Sequence, residues 1–104
     1  EEAKSVVNSN TARLTEYGLT PTSLLSQVKR AQKLGYAVRE MPTLAGVRSI
    51  GQAVHNHSGV PFAALSVSAI SSRMTEKRVA ELATLLRNET RLIEKQLASG
   101  GDLR

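Results

Sequence analysis

Residues 47–69, VRSIGQAVHNHSGVPFAALSVSA, carry the strongest fold signal in this chain. Its two ends, residues 47–54 and 61–69, are short runs of β-branched and small apolar residues, and each predicts a strand. The segment HNHSG between them, residues 55–59, has the composition of a turn. Together they predict an antiparallel hairpin whose second strand starts at Pro61, where the missing backbone N–H is tolerated.

The pairing of this hairpin follows from the alternation of side chains along a strand. A register with Ser49 opposite Ser66 also places Val47 opposite Ser68, so that these four side chains share one face. A slip of one residue would turn the serines toward the apolar face, where a hydroxyl without a partner costs about 1–3 kcal/mol. We therefore expect Val47, Ser49, Ser66 and Ser68 to lie together.

The two faces of the hairpin predict different roles. One face carries Ile50, Leu65 and Val67 and suits packing against helices. The other face consists almost wholly of small residues and hydroxyls. Such a surface suits the floor of a small-molecule site, but it equally suits close contact with a helix or plain exposure to solvent.

Helix signals flank the hairpin on both sides. The segment 21–34 has Thr20 as N-cap, Pro21 at the first helical position and Gly35 as a left-handed stop. The segment 75–98 starts at a threonine cap and repeats apolar residues at helical spacing. The remaining segments predict a short helix over 1–9, a loop or irregular strand over 10–19, a strand over 36–41 and a loop over 42–46. This order indicates an α+β domain in which helices cover an antiparallel sheet.

The amino-acid composition excludes several classes of protein and of functional site. The chain has 104 residues and no cysteine, which predicts one small domain and excludes disulfides, thiolate metal sites and cysteine nucleophiles. No apolar run approaches the length of a membrane span, so we expect no membrane association. A chain without cysteine fits the cytoplasm, which is the location that we expect. The net charge is +5, but acidic residues interleave with the basic ones and only two Tyr and one Phe are present. This pattern favours solvated helix faces over nucleic-acid binding by this piece.

Four motifs follow one another in the order LGYAV at 34–38, GVRSI at 46–50, SGVPFAALSVS at 58–68 and SRMT at 72–75. Their order and spacing resemble the effector-binding domain of IclR-type transcriptional regulators, and the resemblance extends over about residues 10–98. It implies a GAF-like fold, an antiparallel sheet flanked by helices. The family's domain is longer than this chain, so we expect 1–104 to be a partial effector-binding domain that lacks the first part of the domain. We likewise expect no DNA-binding winged helix-turn-helix in this chain.

The resemblance also implies a function. Members of the family sense small metabolites, often organic or aromatic acids, and act as homodimers or tetramers that reach DNA through an N-terminal domain absent here. We therefore expect an effector-sensing and oligomerisation domain without a cofactor. The alternative is a purely structural oligomerisation module without its own ligand. Leu85 and Leu92, seven residues apart and off the main apolar stripe of the last helix, suit contacts with a partner in either case.

The resemblance also implies candidate effector-binding residues, which are the residues of this chain at the positions that bind the effector in the family. Ser66 and Ser68 match serines that contact the effector in the family, Ser49 matches a position often occupied by Cys, and Val47 matches an apolar position that lines the pocket. Arg39 stands where an effector-contacting Asp is common, which is a departure from the family. If Arg39 points into the pocket, it favours an anionic ligand through a fork-like carboxylate contact; otherwise it is an exposed residue at the end of a strand.

We expect neither an enzyme nor a metal site. His55 and His57 form a His-x-His pair in the turn, but a closed metal site needs further ligands. We therefore predict that both histidines are exposed polar residues of the turn. Neither histidine has an evident carboxylate partner. No nucleophile motif or phosphate-binding loop occurs either, and no catalytic residue is therefore assigned.

Overall fold

The computed structural model describes residues 1–40 and 45–100. Its elements, in chain order, are α1 (Glu2–Ser9), α2 (Thr11–Glu16), α3 (Pro21–Leu34), β1 (Ala37–Glu40), β2 (Val47–His55), β3 (Pro61–Ile70), a 3₁₀ turn (Ser71–Arg73) and α4 (Glu76–Ala98). The strands form one antiparallel sheet in the order β1-β2-β3, and the α+β prediction is confirmed. Residue 41 of the predicted strand and residues 42–44 of the predicted loop lie outside the described residues.

The hydrophobic core lies between one face of the sheet and α4. Ile50 on the central strand is fully buried, and it is surrounded by apolar side chains of α4 and of the segment before it: Met74, Val79, Leu82, Ala83 and Leu86. Leu65 and Val67 pack against this cluster from β3. The predicted apolar face of the hairpin is therefore confirmed. No helix in the described residues is long and apolar enough to span a bilayer.

Helix α3 begins and ends at the predicted signals. The Thr20 hydroxyl accepts a hydrogen bond from the backbone N–H of Ser23 at 3.1 Å, and the Ser23 hydroxyl accepts one from the backbone N–H of Thr20 at 3.2 Å. This reciprocal pair satisfies two of the backbone donors that a helix start leaves free. At the other end Gly35 has φ 85, which glycine adopts without the steric cost of a Cβ. The chain can therefore turn sharply from α3 into β1.

The prediction of a loop or irregular strand over 10–19 is wrong. Residues Thr11–Glu16 form α2, in which Leu14 is the one buried side chain. A single buried residue in a six-residue helix gives no apolar periodicity to detect. The hydroxyls of Thr11 and Thr15 donate to the carbonyls of Asn8 and Thr11, which fits helical geometry but is not a helix signal in the sequence.

The predicted register of the hairpin is wrong by two residues. Ser49 pairs with Ser68 rather than with Ser66, and Val47 pairs with Ile70. The Asn56 N–H donates to the Val60 carbonyl at 2.8 Å, so the loop closes around three residues and shifts the pairing by one. A bulge between Val54 and His55 shifts it by a second residue. Because two shifts restore the parity, every side chain keeps its predicted face.

Candidate functional site

The face of the sheet opposite α4 carries the predicted effector-binding residues, and we call it the open face. The pairings Arg39 with Ser49 and Ser49 with Ser68 place these three residues in one row across β1, β2 and β3. Ser66 lies in the neighbouring row, paired with Gly51, about 7 Å further along the strand. Val47 lies on the other side of the row. The structure thus brings together all five predicted residues.

Two hydroxyls of the row are in direct contact. Ser49 Oγ and Ser68 Oγ are 2.6 Å apart, and either atom can be the donor. Whichever donates, the other hydroxyl keeps its hydrogen for a further bond, because each serine has one O–H and two acceptor lone pairs. Ser68 is exposed and Ser49 half-buried. The pair therefore presents one donor and several acceptor positions to a ligand on the open face.

Small residues leave space around the hydroxyl row. Gly51 lies beside Ser66, and a Cβ added at Gly51 would lie 3.7 Å from the Cβ of Ser66, an ordinary contact distance. Ala37 pairs with Gly51 on the next strand, and Ala53 pairs with Ala64 one row further. The open face is consequently shallow on this side of the hydroxyl row, whereas Val47 and Ile70, which pair in the row on the other side, carry larger apolar side chains.

Arg39 supplies the one charged side chain among the five predicted residues. It lies on the open face by its pairing with Ser49 and is half-buried. The described residues contain no ion pair to its guanidinium. A guanidinium and a hydroxyl pair in one row are suited to binding a carboxylate, because the guanidinium offers two parallel N–H donors and a hydroxyl offers a third.

His55 does have a carboxylate partner, contrary to the prediction. Glu94 of α4 accepts hydrogen bonds from the backbone N–H of His55 at 2.6 Å and from its Nδ1 at 3.0 Å. The two residues are 39 positions apart, and no local pattern signals such a contact. His55 stands six residues along β2 from Ser49, about 20 Å, so this pair is remote from the hydroxyl row. It ties the end of the sheet to α4.

This contact predicts a dependence of stability on pH. The hydrogen bonds from the backbone and side chain of His55 lower the pKa of Glu94 below its ordinary value. A lowered pKa in the folded state stabilises the fold above the pKa of the unfolded state, near 4.3, and the contribution is lost as the pH falls through the folded pKa. We expect Glu94→Gln to lower the melting temperature at pH 7 by about 2–5 °C, and we expect this difference to shrink as the pH falls through the folded-state pKa of Glu94.

Thermal melts of both proteins across this pH range measure the effect. Glu89→Gln is the matched control, because Glu89 is exposed on the same helix and makes no side-chain hydrogen bond or ion pair within the described residues. A difference between wild type and Glu94→Gln that is the same at every pH at which both proteins fold, or that grows as the pH falls, would contradict the expectation.

Comparison with known proteins identifies the family. Residues 1–95 match the family described as "Bacterial transcriptional regulator IclR C-terminal". A relative called HTH-type transcriptional repressor AllR, from Escherichia coli, is 34% identical over 84 residues, which are 75% of this chain and 31% of that protein. The Acetate operon repressor of Salmonella typhimurium is 31% identical over 83 residues, 80% of this chain and 30% of that protein. The chain thus spans about a third of the length of these relatives.

Solved structures show the same fold. The IclR protein of Thermotoga maritima matches with a TM-score of 0.72 and 26% identity, over 77% of this chain and 32% of that one. The C-terminal domain of the Escherichia coli transcriptional regulator KdgR matches with a TM-score of 0.71 and 28% identity, over 77% of this chain and 49% of that one.

These findings place the chain among the C-terminal domains of bacterial transcriptional regulators. It belongs to the IclR family. The resemblance stated from the four sequence motifs is confirmed. So is the prediction that the chain is not an enzyme, because its relatives are transcriptional repressors.

Proposed function

We propose that this chain senses a small organic or aromatic acid for a transcriptional regulator, and that the acid binds on the open face. The observation that carries the proposal is the row formed by Arg39, Ser49 and Ser68. In this arrangement the guanidinium binds the carboxylate, the free O–H of the Ser49–Ser68 pair donates a hydrogen bond to one of its oxygens, and Ser66 and Val47 contact the rest of the molecule.

The charge of the row determines the class of ligand. A carboxylate held by a guanidinium and a hydroxyl makes charge-assisted hydrogen bonds, which are about twice as strong as neutral ones. A cationic ligand at the same place would meet the positive charge of Arg39. The small residues beside the row admit a flat or branched acid without displacing the backbone.

The wider setting of the domain is part of the same proposal. The whole regulator acts in the cytoplasm as a homodimer or tetramer, and it binds DNA through a winged helix-turn-helix domain that precedes the sensing domain. Occupation of the open face changes how that domain binds its operator. The positive net charge of the present chain serves solubility and long-range attraction to nucleic acid rather than sequence recognition.

A structural oligomerisation module is the second candidate function. Leu85 and Leu92 of α4 are 53% and 54% exposed, although they are large apolar side chains. They lie two helical turns apart on the side of α4 away from the sheet, so one neighbouring copy can cover both. This role is compatible with sensing but does not require a ligand.

A thermal-shift titration with a panel of organic and aromatic acids separates the two functions. A ligand that binds only the folded state stabilises it by about 2.7 kcal/mol at a concentration of 100 times its Kd. We expect at least one acid to raise the melting temperature by several degrees with a saturable concentration dependence. No shift with any acid would favour the structural module.

Variants of the hydroxyl row test the site itself. We expect Ser66→Val and Ser68→Val each to keep the fold and to weaken binding of the stabilising acid about 3–10-fold, because each loses a hydrogen bond to the ligand. Ser72→Val is the matched control, since Ser72 is exposed in the 3₁₀ turn and outside the row. Full affinity in both row variants would show that the acid binds elsewhere.

A further inference from the structure

A groove of about 640 Å³ lies between α3 and β1, and it is partly open to solvent. Its wall on the α3 side includes Leu24, Val28 and Ala31, the apolar stripe of that helix. Its opposite wall includes Tyr36 and Val38, which also pack against the core. The volume falls within the usual range for small-molecule sites.

The apolar stripe of α3 is not fully covered within the described residues. Leu24, Val28 and Ala31 are only half-buried, and none of the 14 residues of α3 is buried. By contrast, α4 buries five side chains. An amphipathic helix normally buries its apolar stripe, and here the groove occupies the space between that stripe and the sheet. An apolar molecule in the groove would therefore complete the packing of α3.

The charges around the groove favour an anion. Three arginines and one glutamate line it. Arg48 donates to Glu76 at 2.9 Å and to the Met74 carbonyl at 2.8 Å, and Glu40 accepts a hydrogen bond from Ser71 at 2.7 Å.

The other two charged side chains that line the groove belong to Arg30 and Arg39. Arg30 and Arg39 make no ion pair within the described residues. Glu40 makes no ion pair among the described residues either, because its partner Ser71 is neutral. The lining residues without an ion pair, Arg30, Arg39 and Glu40, therefore carry a net charge of +1.

We propose that this groove binds an amphipathic anion, with its apolar tail along Val28 and Ala31 of α3 and its carboxylate or similar head group at Arg30 and Arg39. This is a second site, distinct from the hydroxyl row on the open face, although Arg39 borders both. The tail replaces water against the α3 stripe, and the head group supplies the negative charge that the two guanidinium groups lack.

Three simple probes test the chemistry of the site on the 104-residue chain. Octanoate has an apolar tail and a carboxylate, propionate has the carboxylate with five fewer methylene groups, and octyltrimethylammonium has the tail with a positive head. Each fully buried methylene contributes about fourfold in affinity. In a groove partly open to solvent we expect octanoate to bind saturably and propionate to bind at least about tenfold more weakly. We expect octyltrimethylammonium not to bind. Equal binding of octanoate and octyltrimethylammonium, or binding by neither, would overturn the proposal.

Charge-reversal variants of α3 test whether octanoate binds in the groove. Arg30→Glu is expected to weaken octanoate binding about fivefold, while Lys29→Glu leaves it unchanged. Both residues are exposed on α3, but Lys29 does not line the groove, so the pair separates a local contact from a change in net charge. Val28→Asp, which places a charge against the tail, should abolish binding. If Arg30→Glu and Lys29→Glu weaken octanoate equally, no groove site exists.

The hydroxyl row provides the last comparison. Octanoate binding is expected to fall more in Arg30→Glu than in Ser68→Val, because Arg30 lines the groove and Ser68 does not. If Ser68→Val weakens octanoate and Arg30→Glu does not, octanoate binds on the open face. That result would overturn the groove site and support the sensing site, so failures of the two proposals are distinguishable.

Discussion

Ile50→Ala is expected to remove about 2–5 kcal/mol from the free energy of unfolding. The Ile50 side chain has no exposed surface and lies on the central strand, in the cluster that joins β2 to α4. Truncation would leave a cavity between the sheet and α4, since both elements are held by other contacts. Domains of this size are stable by only about 5–15 kcal/mol, so this one change removes a large part of the total.

Urea denaturation of wild type and variant measures this difference. Ile70→Ala is the matched control, because it removes the same atoms from the same sheet at a residue that is 61% exposed. We expect the control to change the free energy of unfolding by less than about 0.5 kcal/mol. Equal losses in the two variants would contradict the packing of α4 over Ile50.

Arg39→Glu is expected to weaken binding of the acid found in the thermal-shift panel about 100-fold. A hydrogen bond to a charged group contributes about 1.5–3 kcal/mol, and the substituted carboxylate adds repulsion of the ligand. Arg39→Lys should keep the charge but lose the paired donors, with an intermediate loss of about 3–10-fold. A short acid is the right ligand for this test, because Arg39 also borders the groove beside α3.

Isothermal titration of the three proteins measures these affinities. Arg73→Glu is the control, because Arg73 is exposed in the 3₁₀ turn and changes the net charge by the same amount. Neither Arg39 variant is expected to change the melting temperature without ligand by more than about 2 °C, since Arg39 makes no ion pair within the described residues. An affinity that is equal in Arg39→Glu and Arg73→Glu would rule out a contact between Arg39 and the acid.

Local signals made much of this fold predictable. Thr20, Pro21 and Gly35 define the ends of α3 because capping and left-handed glycine act within a few residues. The alternation along β2 and β3 correctly separates Ile50 from Ser49, since the period of a strand does not depend on the rest of the molecule. The shared face of Val47, Ser49, Ser66 and Ser68 follows from the same rule, whereas the place of Arg39 on that face depends on the pairing of β1 with β2.

Other features depend on contacts that no local pattern shows. The register required the three-residue loop and the bulge near His55, each of which shifts the pairing by one residue. The contact of His55 with Glu94 joins positions 39 residues apart. The groove beside α3 arises from the spacing of two elements, which the apolar stripe of that helix does not reveal by itself.

The central position of β2 links the binding of a ligand to the integrity of the fold. Ser49 and Ile50 are neighbours in the chain but project from opposite faces of this strand, one toward the hydroxyl row and one into the core. Molecules in which β2 has separated from α4 have no assembled row, so the measured dissociation constant equals the intrinsic one divided by the fraction of molecules in which the row is assembled. A substitution in the core under α4 can therefore lower the apparent affinity for a ligand without removing any contact to it. The affinities of core variants should be compared only at temperatures where the chain is fully folded.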